Sequence, residues 1–211
     1  MLHGWASPAT VVTTCTAMPI LAATAVVLRI YARLFCTKNA GWDDYFTMAS
    51  MLCSMATTIT IIEMVQWGLG KHVKQLTKHE AFMQQRAFFC MIIVYNMSLF
   101  FTKMAILMQY KRLFPQKGFK IAVNIAMVIV IIYAFWRVFA AIFVCWPVAA
   151  FWDHSIKHVH CQNKFANAMA SCALNMATDL LIAILPLAIL HKLQLPSRQR
   201  YALMAVFALA G

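Results

Sequence analysis

The chain has 211 residues, 63% of them hydrophobic and 11% charged, with a mean hydropathy of +0.73. A water-soluble domain of that length and composition would expose more contiguous apolar surface than soluble proteins carry. The formal net charge of +12 would suit nucleic acid if the basic residues shared a face. They sit instead in connectors between apolar runs, which points to a membrane surface and excludes a nucleic-acid partner.

A helix needs roughly 20 apolar residues to cross the hydrocarbon. The runs lack the period-two alternation of a barrel strand, so the sequence predicts an all-α polytopic transmembrane bundle. In chain order the predicted spans cover about 9–33, 44–67, 87–110, 120–145 and 166–191. A sixth begins near 201, and the 11 residues Tyr201–Gly211 are too short to complete it. The residues form a single domain, 1–211, with five complete spans, a partial sixth and no linker. Residues 1–7 contain no Lys or Arg, and no small-residue cleavage site follows a short apolar core. The first span is therefore expected to remain as an anchor rather than be cleaved as a signal peptide.

The first span contains Pro19 and the fifth Pro186, both expected as kinks. Glycine is nearly absent from the spans, so close helix approach must rest on Ala, Ser and Thr. Asp43 and Asp44 open the second span, where carboxylates cap free amides and favour the positive helix end. Orientation follows from the connectors. With the N-terminus outside, the cytoplasmic connectors carry Arg29, Arg33, Lys38, Lys111, Arg112, Lys117, Lys120, Lys192, Arg198 and Arg200. The outer ones carry only Lys71, Lys74, Lys78, Arg86, Lys157 and Lys164, so the bias favours an outside N-terminus. Trp5, Trp42, Trp67, Trp146 and Trp152 fall near the predicted interfaces, where amphipathic rings belong.

Ionisable groups inside a bilayer are costly, and each is a candidate site. Four stand out: Glu63, Lys103, Arg137 and Asp179. At about 1.5 Å per residue, Lys103 and Asp179 lie roughly 24 and 20 Å below the outer edge, within one helical turn of the same level. They are expected to pair. The pair can act as a structural tie, as the floor of a polar ligand cavity or two-state lock, or as part of an ion pathway. Asn175 is one turn from Asp179 on the same face, and Asn96 and Asn124 add interhelical hydrogen-bonding capacity. Glu63 and Arg137 lie about 6–12 Å from the outer edge and are expected to snorkel towards headgroups.

Seven cysteines are scattered without a CxxC. Cys145 and Cys161 both face the outer compartment, where a loop-closing disulfide can form, and Cys90 competes for Cys161. Cys15, Cys53 and Cys172 read as packing residues. His154, His158 and His160 crowd beside Cys161, yet their spacing matches no zinc motif, and no metal is expected.

The ordered set of short motifs resembles the fungal rhodopsin-domain integral membrane proteins, a seven-helix, receptor-like group. The first connector is similar to that family's Arg-x-Tyr-x-Arg and Asp-Asp elements at Arg29, Tyr31, Arg33, Asp43 and Asp44. Gly68, Gly70, Lys71 and His72 match its Gly-x-Gly-Lys-His element, and Lys103, Tyr110, Arg112 and Phe114 its third-helix pattern. The most specific stretch is Cys145-Trp-Pro-Val-Ala-Ala-Phe-Trp-Asp153 with Cys161 downstream. Asn175, Asp179, Pro186, the run Leu193–Arg200, Phe207 and Gly211 follow. One departure is Ala105, where the family usually has Ser two residues after the lysine.

The resemblance implies a seven-helix receptor-like fold with an extracellular N-terminus in the plasma membrane. It does not imply retinal, since the sole intramembrane lysine is on the third span and a Schiff-base lysine belongs on a late helix. No cofactor is expected. The expected function is a sensor of an extracellular small-molecule ligand that signals through helix rearrangement to a cytoplasmic protein. The alternative is a carrier of a small solute or ion through the Lys103/Asp179 site. No nucleophile–base pair or metal set shares a common depth, so an enzyme is not expected.

Overall fold

The computed structural model describes residues 8–36, 41–69, 77–153 and 159–192. Five helices carry nearly all of it: α1 Pro8–Tyr31, α2 Trp42–Gln66, α3 Lys78–Leu113, α4 Lys117–Ile142 and α5 Lys164–Lys192. A π-helical turn, Ala32–Cys36, extends α1. Two short antiparallel strands, β1 Cys145–Trp146 and β2 His160–Cys161, pair in the register Cys145↔Cys161 and Trp146↔His160. A 3-10 turn, Val148–Phe151, follows a cis Trp146–Pro147 bond. All five helices are long and apolar enough to cross a membrane. The predicted sixth span, the Leu193–Arg200 motif, Gly70, Lys71, His72, His154 and His158 lie outside the described residues.

The helices alternate in direction, so the bundle has two chemically distinct ends. One gathers the C-terminal ends of α1 and α3 with the N-terminal ends of α2 and α4, and is rich in arginine. The other carries the β1–β2 hairpin.

The core is a seam between α3, α4 and α5. Met104, Leu107, Tyr110 and Phe114 meet Phe119, Val123, Ala126, Val130 and Ile182. On α4 the buried positions recur at helical spacing, while Ile121, Ile125, Ile132 and Phe139 form an exposed stripe. Such a stripe fits lipid as its solvent. Where α2 meets α3, small hydroxyl residues bring the backbones together. Ser50 Oγ lies 2.6 Å from Thr102 Oγ1, and Ser98 Oγ donates to the Ser50 carbonyl at 3.3 Å.

One boundary differs from expectation. Residues 67–86 read as a loop, but α3 begins at Lys78 and runs 36 residues, about 54 Å. That exceeds the roughly 30 Å hydrocarbon, so its polar first turns project beyond the bilayer. The start is fixed by a capping box: Glu80 N donates to Thr77 Oγ1 at 3.3 Å, and Thr77 N donates to Glu80 Oε2 at 2.8 Å. At the end of α2, Gly68 has φ of 99°, with Leu69 N donating to the Met64 carbonyl and Gly68 N to that of Val65. This C-terminal cap needs a residue that tolerates the left-handed region, which accounts for the first glycine of the Gly-x-Gly-Lys-His element.

Candidate functional site

The Lys103 side chain is 5% exposed and reaches from α3 into a turn of α5. Its Nζ lies 3.1 Å from Asp179 Oδ1. It also donates to Asn175 Oδ1 at 2.8 Å, to the Asn175 carbonyl at 3.2 Å and to Thr178 Oγ1 at 2.5 Å. The Tyr133 ring of α4 sits with its centroid 5.6 Å from the ammonium. Asn175 Nδ2 donates in turn to Asp179 Oδ2 at 3.1 Å. Four oxygens thus surround three N–H donors, and only one carries a charge. Lys103 is held by the neutral groups as much as by the acid.

Asp179 remains 54% exposed, because it lies one position past the inward-facing Thr178. Thr178 and Tyr133 were not singled out from the sequence. Thr178, three residues after Asn175, was legible as part of the same helix face.

Glu63 and Arg137 do not meet. Glu63 is exposed on α2. Arg137 is half-buried: its Nε donates to Asn96 Oδ1 at 3.3 Å, and it lines a small cavity with Lys103, Tyr133, Asn96 and Asn175. Asn96 is anchored by donation from Nδ2 to the Ile92 carbonyl at 2.6 Å. Asn124 is exposed.

At the arginine-rich end, Asp43 and Asp44 are 3% and 8% exposed and face three guanidinium groups. Arg29 Nη2 donates to Asp43 Oδ2 at 3.0 Å, Arg33 pairs with the same oxygen, and Arg112 Nη1 lies 3.3 Å from Asp43 Oδ1. Arg29 Nη1 also donates to Gln109 Oε1 of α3 at 3.0 Å. Asp44 Oδ2 accepts from the Gly41 amide at 3.1 Å, the capping role expected of it, whereas Asp43 is spent on arginines of α1, the π-turn and α3. Arg112 and Gln109 are additions that sequence spacing did not suggest. Asp44 Oδ1 lies 3.0 Å from Arg33 Nη1 and 3.5 Å from Arg29 Nε, yet these contacts are badly angled. Asp44 Oδ1 and Arg29 Nε are therefore buried without a hydrogen bond among the described residues. Burial alone would lower the pKa of Arg33, but its hydrogen bonds to Asp43 and Asp44 and their charges outweigh this and raise it.

At the hairpin end, Cys145 and Cys161 form the disulfide, and Cys90 is free and exposed. Phe151 and Trp152 of the hairpin loop pack on Phe89 of α3, with ring centroids 5.3 Å apart in both pairs. The loop is thus fastened to α3.

Three fungal proteins are similar to the chain. The polyenoic acids biosynthesis gene cluster protein Ba17b of Metarhizium anisopliae is 29% identical over 191 residues, covering 87% of this chain and 51% of that protein. An SAT4 family membrane protein of Emericella nidulans is 27% identical over 175 residues, covering 81% of this chain and 42% of that protein. The phomoidride biosynthesis cluster protein H of a fungal species is 27% identical over 192 residues, covering 78% and 68%. The chain spans about half the length of the first two of these curated relatives. No solved structure matches it. With the fungal rhodopsin domain matching residues 28–211 and five helices able to span a bilayer, this chain belongs to the fungal rhodopsin-domain family of multi-pass membrane proteins.

Proposed function

We propose that the chain is a receptor-like sensor of the plasma membrane, with its N-terminus outside, that binds a small extracellular ligand and signals by rearranging its helices. The observation that carries this reading is that α3 bears both charged ties. Lys103 binds it to α5, and Arg112, nine residues further along and roughly 14 Å away, binds it to the Asp43 cluster. A shift of α3 that loosens one tie changes the other. The buried Arg29 Nε and Asp44 Oδ1, without hydrogen bonds among the described residues, are groups that a second arrangement can satisfy. The partner on the cytoplasmic side would be a signalling protein meeting Lys111, Arg112, Lys117 and Lys120. The ligand class that fits the names of two relatives is a small metabolite of a fungal biosynthetic cluster. The reading assigns no catalysis to the chain.

A second reading, a carrier for a small solute or ion, draws on the half-exposed Asp179 beside a buried ammonium. One pair of assays separates them. Cells given metabolite extracts should show a response that Asp179→Asn abolishes without loss of folded protein. Uptake or current in liposomes, with no cellular response, would replace the sensor with the carrier.

A further inference from the structure

We infer that the groove between α1 and α2 is a docking site for one sterol molecule, with its ring system against the apolar walls and its 3β-hydroxyl at Tyr31. The groove has a volume of about 620 Å³, within the roughly 300–1,000 Å³ of small-molecule sites. Ile20, Ala23, Thr24 and Val27 of α1 line it with Met55 and Ile59 of α2. From Thr16 to Leu28 it follows α1 for roughly 18 Å, slightly more than one leaflet of a roughly 30 Å hydrocarbon.

The walls present methyl groups, because their hydroxyls are spent on the backbone. Pro19 has no N–H to give the Cys15 carbonyl, and Thr58 Oγ1 of α2 donates there at 3.5 Å and to the Ser54 carbonyl at 3.1 Å. Thr16 Oγ1 donates to the Val12 carbonyl at 2.8 Å, and Thr24 Oγ1 to that of Leu21 at 2.7 Å. Met55 and Ile59 lie about 140° and 180° round α2 from Ser50, which meets α3. The groove therefore opens away from α3, onto lipid. Arg29, about 180° from Ile20 on α1, leaves by the opposite face for the Asp43 cluster.

The polar contact sits at the arginine-rich end. Ile20, Thr24, Val27 and Tyr31 form one stripe at helical spacing, so the groove runs down to the exposed Tyr31 ring. Trp42 and Tyr45, both exposed with ring centroids 5.9 Å apart, mark the headgroup level at the start of α2. Leu28, Tyr31 and Arg33 also fit a pattern proposed for sterol contact, a Leu or Val, then a Tyr, then a Lys or Arg within a few residues. The pattern is weak alone, but here it coincides with the end of a formed recess. Arg33 is engaged by Asp43 and Asp44, which leaves Tyr31 to meet the sterol hydroxyl. An acyl chain would lose rotamer freedom in this recess, whereas a fused-ring sterol is rigid before it binds.

The test uses the full chain in phosphatidylcholine nanodiscs containing a 3β-hydroxysterol with a diazirine on its rings, the labelled peptides being mapped by mass spectrometry. Labelling of α1 and α2 at the groove should saturate, and ergosterol should compete where its 3α-epimer does not. Tyr31→Phe should weaken ergosterol competition about fivefold. Thr24→Phe fills the groove from an exposed position and should abolish saturable labelling, as should Ile59→Phe on the other wall. Ile125→Phe, on the exposed stripe of α4, should leave it intact. Labelling that rises in proportion to sterol without saturating overturns the site and leaves bulk lipid as the occupant. Saturable labelling that survives in folded Thr24→Phe and Ile59→Phe, or is lost equally in Ile125→Phe, also overturns it. So does oxidative cross-linking of Ile20→Cys between two copies without sterol labelling, which would seat a second copy in the groove.

Discussion

The two charged regions of this bundle solve the same problem by opposite means. Around Lys103, a nearly enclosed ammonium is held mainly by neutral oxygens drawn from one turn of α5, and its acid partner is half-exposed. At the arginine-rich end, the nearly enclosed Asp43 carboxylate is held by cations from three separate segments. The first region ties two helices with hydrogen-bond geometry. The second ties three with charge. Damage to the second should therefore cost more, and salt should reach it more easily.

Asp43→Ala is the most severe way to break that comparison. It leaves Arg29, Arg33 and Arg112 crowded together with one acid among them, and loss of one partner from a buried charge network costs about 3–5 kcal/mol. The folded fraction after detergent extraction, read by fluorescence-detected size exclusion, should collapse. A variant that folds normally would mean that the arginines reach water or lipid phosphate instead.

Lys103→Met comes next. It removes the donors serving Asn175 and Thr178, at a cost of about 2 kcal/mol. Asp179→Asn should cost about half that, because the other three oxygens still hold the ammonium. The contrast between the two, measured by thermal unfolding, tests whether neutral acceptors or the ion pair dominate. Charge reversal sharpens it: Lys103→Asp with Asp179→Lys restores opposite charges but points a carboxylate at the Asn175 carbonyl. The double variant should stay less stable than either conservative single change. Full rescue would make the ion pair sufficient.

Salt should distinguish the regions more gently. The three arginines are 21–34% exposed, against 5% for Lys103. Raising sodium gluconate from 0.1 to 1 M shortens the screening length from about 10 to 3 Å. The wild-type midpoint should fall, and Lys103→Met should fall with it in parallel. A smaller fall in Lys103→Met than in the wild type would show that the mid-membrane site is wetter than its burial indicates.

How far each region could be read beforehand follows from the same physics. Lys103 and Asp179 stand out because charges are rare in apolar runs, and helical rise alone brings them to a common level. Asn175 follows from one-turn spacing. The five spans follow from hydropathy, since lipid imposes a single requirement on every residue of a run. What hydropathy misses is the polar start of α3, where Thr77-Lys78-His79-Glu80 carries a capping-box signal in a segment too polar to count as a span. The Asp43 cluster was legible only in part: its first arginines lie 14 and 10 residues away in chain order, but Arg112 lies 69 away. No local spacing rule connects residues at that separation. Only the antiparallel return of α3 does.

The smallest predicted effect probes how tightly that return is fitted. Gly41 has extended backbone angles open to any residue, so its role is spatial. A methyl group placed on it would sit 2.7 Å from Arg112 Nη1 and against the Asp43 carboxylate. The guanidinium is the flexible end of a long side chain and can swing outward, and the nearer Asp43 carboxylate can turn about its last torsion, weakening their contact. Gly41→Ala should therefore cost no more than a partly exposed salt bridge, about 1 kcal/mol or less. In cycles with Arg112→Ala the losses should be less than additive, because the second change removes one of the two clashes made by the first. Additive losses would show that the alanine displaces Asp43 instead, in which case the cost should approach that of removing Asp43 itself.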